Sequence, residues 1–358
     1  MNNGLQPLQK AVEAVLTAIP DPAGGGAGLM AAGRVQGLAV GEGGTVSFMI
    51  EAPAGEGERY QAVRDAAEKA VRAIKGVREA RVVLTAEAAP KPARPAAIVA
   101  IASAKGGVGK STVAVNLALA LQGLGLRVGL LDADIYGPSL PTMLGTSGRR
   151  PNVLADKRIE PVEAFGLQTL SIGYLVDPAE PMIWRGAMVS GALRQLLEDA
   201  AWGAPGAPLD ILLLDQPPGT GDAHLTLAQR APLSGAVIVS TPQEVALADV
   251  RRGLAMFART EVPVLGVIEN MAYYEQPDGV RAYLFGEGGA RRTAEAFGAP
   301  FLGEIPIDMT LRQGGDDGRP LVAAEPNHPI SLRFTEIAQA LVNNLARSQR
   351  PPPVIRFA

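Results

Sequence analysis

An α/β fold is what this sequence predicts: a mostly parallel sheet covered by helices on both faces, preceded by a small α/β domain. Three observations carry the expectation. Short apolar runs recur at 97–102, 127–131, 167–172, 211–214, 236–239, 264–268 and 301–305, most of them bounded by Gly, Pro or Asp. They are continuous rather than alternating and are separated by helical stretches, which is the pattern of parallel strands buried on both faces. Residues 86–95 hold three prolines and no large apolar side chain, a break in composition that reads as a semi-rigid linker. The segment before that break carries helix and hairpin signals of its own.

In that first segment a helical apolar spacing runs through Leu8, Val12, Val15 and Leu16 and stops before Pro20, Asp21 and Pro22. Strand-like runs at 35–40 and 45–50 flank Gly41, Glu42, Gly43 and Gly44, which is turn chemistry for a hairpin. A helix is expected from about 59 to 74, with Ala66, Ala67, Ala70, Val71 and Ile74 on one face, and a strand at 80–84 closes the unit. The expected organisation is a small α/β domain at 1–87, a Pro/Ala-rich linker at 88–95, a larger α/β domain at 96–348 and a Pro-rich tail at 349–358. That tail is too short and proline-rich for an amphipathic membrane helix.

Composition narrows the classes of function. Two domains are the natural expectation for 358 residues, and 47% hydrophobic against 19% charged residues supports a sizeable core rather than disorder. A net charge of -3 with no long Lys/Arg block disfavours nucleic acid as a partner, because affinity for a phosphate backbone comes mainly from basic side chains. No segment approaches the ~18 uninterrupted apolar residues of a membrane span, and the first residues lack a basic start followed by an apolar block. The cytoplasm is the expected address. Cysteine is absent altogether, which rules out disulfides and thiolate metal sites in this chain.

The strand at 97–102 leads into SAKGGVGKST at 103–112, and a helix with Val113, Val115, Leu117, Ala118 and Leu121 on its apolar face follows. Strand, glycine-rich loop and helix together form the context in which such a loop binds nucleoside triphosphate, so a P-loop NTPase fold is expected. Glycines let backbone N–H groups converge on a phosphate with no Cβ in the way, and the helix N-terminus adds partial positive charge. The expected cradle is Ala104, Lys105, Gly106, Gly107, Val108, Gly109, Lys110, Ser111 and Thr112. Lys110 would reach the outer phosphates of ATP, and the Ser111 hydroxyl would enter the Mg²⁺ shell. Two further strands end in acids: one in Asp132 and Asp134, the other in Asp215, as a Mg²⁺ shell requires.

Ala104 stands where the common P-loop pattern has its first glycine, and Lys105 sits beside a double glycine. This resembles the deviant Walker A ATPases. The resemblance implies that Lys105 reaches the nucleotide of a second subunit in a homodimer. It also implies that Asp134 orients the attacking water, Asp132 supports the metal and Asp215 holds it through water.

Further segments narrow the resemblance: DIYGPSLP (134–141), WRG (184–186), DQPPGTGD (215–222), STPQEVALAD (240–249), ENM (269–271), FGEGG (285–289) and GEIPI (303–307). With the P-loop, and in this order, they resemble the Mrp/ApbC family of iron–sulfur cluster carrier ATPases from about 96 to 345. Residues 5–85 resemble the small iron–sulfur-assembly domain often fused in front, with Asp21, Pro22, Gly76 and Val77 at the matching places. The resemblance implies Asn270 at the adenine edge and transfer of iron–sulfur clusters to apoprotein clients. The sequence departs from the pattern at one point. Members that carry a cluster place Cys-x-x-Cys just after ENM, whereas Gln276 and Gly279 occupy those slots here, on either side of Pro277. Neither a carboxamide nor glycine replaces the soft anionic sulfur that such clusters need, so no cluster ligand is expected from this chain.

Other residues add less. Glu275 and Asp278 are expected to be solvated rather than to bind a hard cation. His224 and His328 read as capping or surface residues, Trp184 and Arg185 as packing, and the pairs Arg251–Arg252 and Arg291–Arg292 as solvated helix faces. Three functions remain open: an ATP-driven carrier or scaffold in cluster assembly, a cysteine-free nucleotide-dependent dimer switch, and a DNA-partition ATPase, which the charge and motif order disfavour.

Overall fold

The computed structural model describes residues 5–41, 43–53, 56–86, 94–135, 137–175, 186–204, 206–219 and 231–349. The chain divides into two compact units, residues 1–91 and 92–358.

In the first unit, α1 (Leu5–Ala18) precedes the antiparallel hairpin of β1 (Val35–Val40) and β2 (Thr45–Ala52); α2 (Gly57–Arg72) then crosses to β3 (Glu79–Ala86), parallel to β2. Alternation in β2 turns Val46, Phe48 and Ile50 inward against Val12, Leu16, Ala67 and Val71 of the helices. The hairpin turn needs glycine: Gly44 lies at φ +81°, and a Cβ there would collide with the Gly76 carbonyl. Of the apolar face expected for α2, Ala67 and Val71 are buried while Ala66 is exposed, and the helix ends at Arg72 rather than 74. Its largest anchor is Tyr60, which is wholly buried.

The reason is a polar cluster that periodicity does not reveal. The Tyr60 hydroxyl donates to the buried Asp21 carboxylate, which also accepts from the Ala23 amide at 3.1 Å and the Arg34 guanidinium at 3.2 Å. Burial pushes the Asp21 carboxyl up, but the donors from Tyr60, Ala23 and Arg34 outweigh it and hold the group below its ordinary value. Burial and the adjacent carboxylate push the Tyr60 phenol up to about 12.

In the second unit the order is β4 (Ala97–Ala102), α3 (Lys110–Gly123), β5 (Val128–Asp132), α4 (Leu140–Met143), β6 (Val162–Ala164), β7 (Leu167–Ser171), α5 (Gly186–Glu198), β8 (Ile211–Asp215) and β9 (Gly235–Ser240). There follow α6 (Glu244–Arg259), β10 (Val264–Glu275), β11 (Arg281–Ala282), α7 (Gly289–Ala296), β12 (Phe301–Ile307), α8 (Met309–Asp316), α9 (Leu321–Ala324) and α10 (Pro329–Ser348). Among the described residues these strands form one sheet in the order β11-β10-β9-β4-β8-β5-β7-β6, with β12 also paired to β10. All neighbours are parallel except the two short pieces β6 and β11. Those two were not expected, since three and two residues are too few to show a period.

One face of the sheet packs on α3 and α10, the other on α5, α6 and α7. The parallel sheet covered on both faces is therefore observed. Helix α3 departs from the one-sided pattern expected of it, for every residue from Val113 to Leu121 is buried. Phe334, Ile337, Ala338 and Leu341 of α10 cover the side that would otherwise face water. The helix that follows the glycine loop is thus clamped between two layers. Among the described residues no helix is long and apolar enough to cross a membrane.

Replacing Tyr60 by Phe removes one donor from a buried carboxylate and is expected to destabilise the first unit by ~1–3 kcal/mol. Hydrogen exchange of α2 in the full chain should lose about 5- to 150-fold of its protection. The folded Asp21 titrates below its unfolded value of about 3.9, so its stabilising contribution is complete above that pH and is lost as the pH falls from there through the lower folded value. Wild-type α2 should therefore lose protection in that acid range more steeply than α2 of Asp21→Asn, whose exchange checks the sign.

Candidate functional site

The site lies where the parallel strands β4, β5 and β8 end. The sheet order turns around β4, with β9 on one side and β8 on the other, and a crevice forms at the carboxyl ends of strands at such a point. Beyond Ala102 the chain turns through residues 103–109 before α3 starts at Lys110. The Ser103 hydroxyl donates to the Lys105 carbonyl at 3.0 Å, and the Gly219 amide donates to the Ser103 carbonyl at 2.9 Å, so the start of the loop is held from inside and from the segment after β8. Gly107 and Gly109 take φ values of +82° and +78°, conformations that residues with a Cβ rarely adopt.

Strand β10 supplies a second hold. The Asn270 carboxamide, 5% exposed, donates to the Val108 carbonyl at 2.8 Å. It lies so close that a Cβ on Gly109 would collide with its nitrogen. On the opposite face of the same strand, buried Glu269 accepts from the Ala290 amide of α7 at 2.5 Å. Burial pushes the Glu269 carboxyl up, although the amides of Ala290 and Gly288 oppose that. Glu269 and Asn270 thus tie β10 to α7 on one side and to the glycine loop on the other.

Lys110 is 6% exposed and forms an ion pair with Asp215 at the end of β8. Its ammonium is also 3.3 Å from the Ser111 hydroxyl. Burial pushes the Asp215 carboxyl up, while the charge of Lys110 and the hydroxyl of Ser111 pull against it. Asp132 faces Asp215 across the β5–β8 pairing. It accepts from the Asp134 amide at 3.0 Å, the Leu140 amide at 3.3 Å and the Ser171 hydroxyl at 3.0 Å. Burial, with the charge of Asp215 beside it, pushes the Asp132 carboxyl up to about 7. Asp134 is only half-buried and accepts from the Gly137 amide at 3.3 Å.

The structure thus brings Lys110, Ser111, Asp132, Asp134 and Asp215 together at one end of the sheet, with Asn270 against the loop. The hydroxyl of Ser111 and the carboxylate of Asp215 are hard oxygen donors of the kind Mg²⁺ takes. Lys105 is exposed, and among the described residues none takes its ammonium. Ser171 and Glu269 were not expected. Ser171 sits beside Asp132 in the β5–β7 register, a place inferable only once those strands are known to be neighbours.

The slots where a cluster carrier has its cysteines form a closed turn. The Gly279 amide donates to the Gln276 carbonyl at 2.8 Å and the Gln276 amide to the Val280 carbonyl at 2.9 Å, which turns β10 back into β11. Asp278 is used within the turn, accepting from the Val280 amide at 3.0 Å. Among the described residues no group of three or more His, Asp or Glu side chains is placed to hold a metal ion. With no thiolate anywhere in the chain, the residues present do not fit an iron–sulfur cluster.

Of the remaining residues, His328 caps α10, its Nδ1 accepting from the Ile330 amide at 3.3 Å. Arg291 is more than a solvated charge, since it pairs with Glu304 at 3.1 Å and stacks over Phe301. Arg292 donates to the Glu287 carbonyl at 2.7 Å. Trp184, Arg185 and His224 lie outside the described residues.

This sheet and loop define a P-loop nucleotide-binding protein. Residues 94–342 match the family model described as ParA, NUBPL iron-transfer P-loop NTPase, and residues 9–84 match that of the iron–sulfur cluster assembly protein domain; the chain belongs to this iron-transfer P-loop NTPase family. The iron–sulfur cluster carrier protein of Synechocystis is 45% identical over 317 residues, covering 85% of this chain and 89% of its own. The nucleotide-binding protein of Archaeoglobus fulgidus, solved in complex with ADP, shares 42% identity with a TM-score of 0.57, over 67% of this chain and 92% of that one. The cell division ATPase MinD of Pyrococcus furiosus shares 21% identity with a TM-score of 0.51, over 69% of this chain and 99% of that one, a likeness of fold alone.

Gly109→Ala places a Cβ against Asn270 and strains the backbone at a positive φ, so it is expected to weaken uptake of a fluorescent ADP analogue by at least about 10-fold. Uptake within about 2-fold of wild type would contradict the tight loop.

Proposed function

We propose that this chain binds and hydrolyses MgATP in the cytoplasm as part of iron–sulfur cluster assembly, serving the transfer of clusters to apoproteins without supplying cluster ligands itself. The observation that carries the reading is the glycine loop, with Gly107 and Gly109 at positive φ, running into Lys110 and Ser111 at the start of α3, where Lys110 meets Asp215 from the end of β8. The ADP complex of the Archaeoglobus relative and the cluster-carrier relatives support it.

In this reading residues 104–112 wrap the phosphates. Lys110 leaves its ion pair with Asp215 for the β- and γ-phosphate oxygens, and Asn270 borders the adenine. Ser111 and Asp215, seconded by Asp132, would hold Mg²⁺, which would supply positive charge against the phosphate oxygens. Asp134, the acid at this edge that is half open to solvent, orients the attacking water. Lys105 completes the site of a second copy in a homodimer; its exposed ammonium is available for that. Thiolates for the cluster come from clients or assembly factors.

Lys110→Ala is expected to lower ATP hydrolysis by about 10²-fold, as the loss of one charge-stabilising donor does in other sites. Lys105→Ala should lower hydrolysis while nucleotide affinity stays within about 2-fold. Full hydrolysis by Lys105→Ala would contradict the two-subunit site. Anaerobic reconstitution of the pure chain with iron and sulfide should leave it colourless, and a brown chromophore retained by the protein would contradict the absence of cluster ligands.

A further inference from the structure

Strand β10 runs from the nucleotide loop straight into the hairpin that replaces the cluster slots. It is anchored at Glu269 and Asn270, to α7 and to the Val108 carbonyl respectively. Immediately beyond, Met271 takes φ +54°, a left-handed conformation for a residue with a side chain. Pairing with β12 breaks at the same place and resumes only at Tyr274. A bulge re-aims the strand that follows it, and backbone strain of this kind persists only where the surroundings enforce it.

Past the bulge the hairpin is cross-braced. Arg281 of β11 lies 4.3 Å over the Tyr273 ring, Tyr273 and Tyr283 meet edge to face at 6.1 Å, and the turn is closed by backbone hydrogen bonds. It also presents apolar surface: Val280 and Leu284 are 55% and 61% exposed. The fold therefore contains an anchored point at 269–270, a strained joint at 271 and a cross-braced arm at 273–283.

We propose that Asn270 is a positioning residue that couples the glycine loop to this arm, so that nucleotide occupancy is read out at the surface of the β10–β11 hairpin. The inference rests on the nucleotide reading above and goes beyond it. Phosphates gathered by the loop amides move or stiffen the peptide at Val108; Asn270, bonded to its carbonyl, carries that change to the joint at Met271. Coupling by this route needs no cluster, which suits a chain without cysteine.

The test is hydrogen exchange of the full chain with and without a slowly hydrolysed ATP analogue and Mg²⁺, the bound fraction being checked by a fluorescent analogue. In wild type, amides at 273–283 should change exchange by at least about 3-fold at saturation, the scale of a partial hydrogen-bond energy. Asn270→Ala, and the milder Asn270→Ser, whose hydroxyl is too short to reach Val108, should bind about 2- to 10-fold more weakly. At saturation both should lose the hairpin response. Asn270→Gln keeps a donor and should regain part of it, a rescue that a merely structural role would not show. Nucleotide uptake by wild type with an unchanged hairpin overturns the coupling alone, as does a full response in folded, saturated Asn270→Ala or Asn270→Ser. No uptake by wild type overturns the nucleotide reading and the coupling with it.

Discussion

A lysine 6% exposed where a helix starts at the end of an apolar sheet is unstable unless an opposite charge meets its ammonium, and this fold supplies that charge from a strand. Lys110 opens α3; Asp215 closes β8; only the parallel placement of β4 beside β8 brings them together. Such pairs contribute little net stability compared with apolar packing, so the pair is better understood as a poised charge than as a fastening. An anion rich in oxygen, arriving with a divalent cation, offers both groups new partners at once. The surrounding architecture keeps that exchange available: α3 is clamped between the sheet and α10, and the glycine loop is held by Ser103, Gly219 and Asn270.

Much of this was legible from residue order. Strands buried on both faces must be apolar throughout, which is why β4, β5, β8 and β9 stood out to within two residues at each end. The glycine loop announced itself because the conformations at 107 and 109 are ones that residues with a Cβ rarely adopt. What stayed hidden depends on neighbours distant in sequence. The all-round burial of α3 follows from α10, some 200 residues later, and the work of Ser171 follows from the β5–β7 register. Tyr60 and Asp21 look like a helix aromatic and a turn acid until the fold places one against the other. Asn270 was expected beside a base and is found bracing the loop, two contacts that one carboxamide has enough donors and acceptors to make.

The hairpin after β10 shows how a family scaffold persists without the ligands its relatives are named for. Gln276 and Gly279 give a turn satisfied by its own backbone, and Gly279 adopts the positive φ such a turn favours. The segment is therefore not a damaged metal site but a folded alternative, with the strand and the nucleotide loop behind it intact. With no thiolate in the chain, soft-metal chemistry has no ligands here.

Every role assigned to this site depends on residues 104–112 taking a nucleotide. Calorimetric titration of the pure, folded chain with ATP in the presence of magnesium measures this most directly. A saturable heat corresponding to one site per chain, weakened in Lys110→Ala, is the predicted result. A flat titration of wild-type protein whose circular dichroism shows it to be folded would contradict nucleotide binding by this loop.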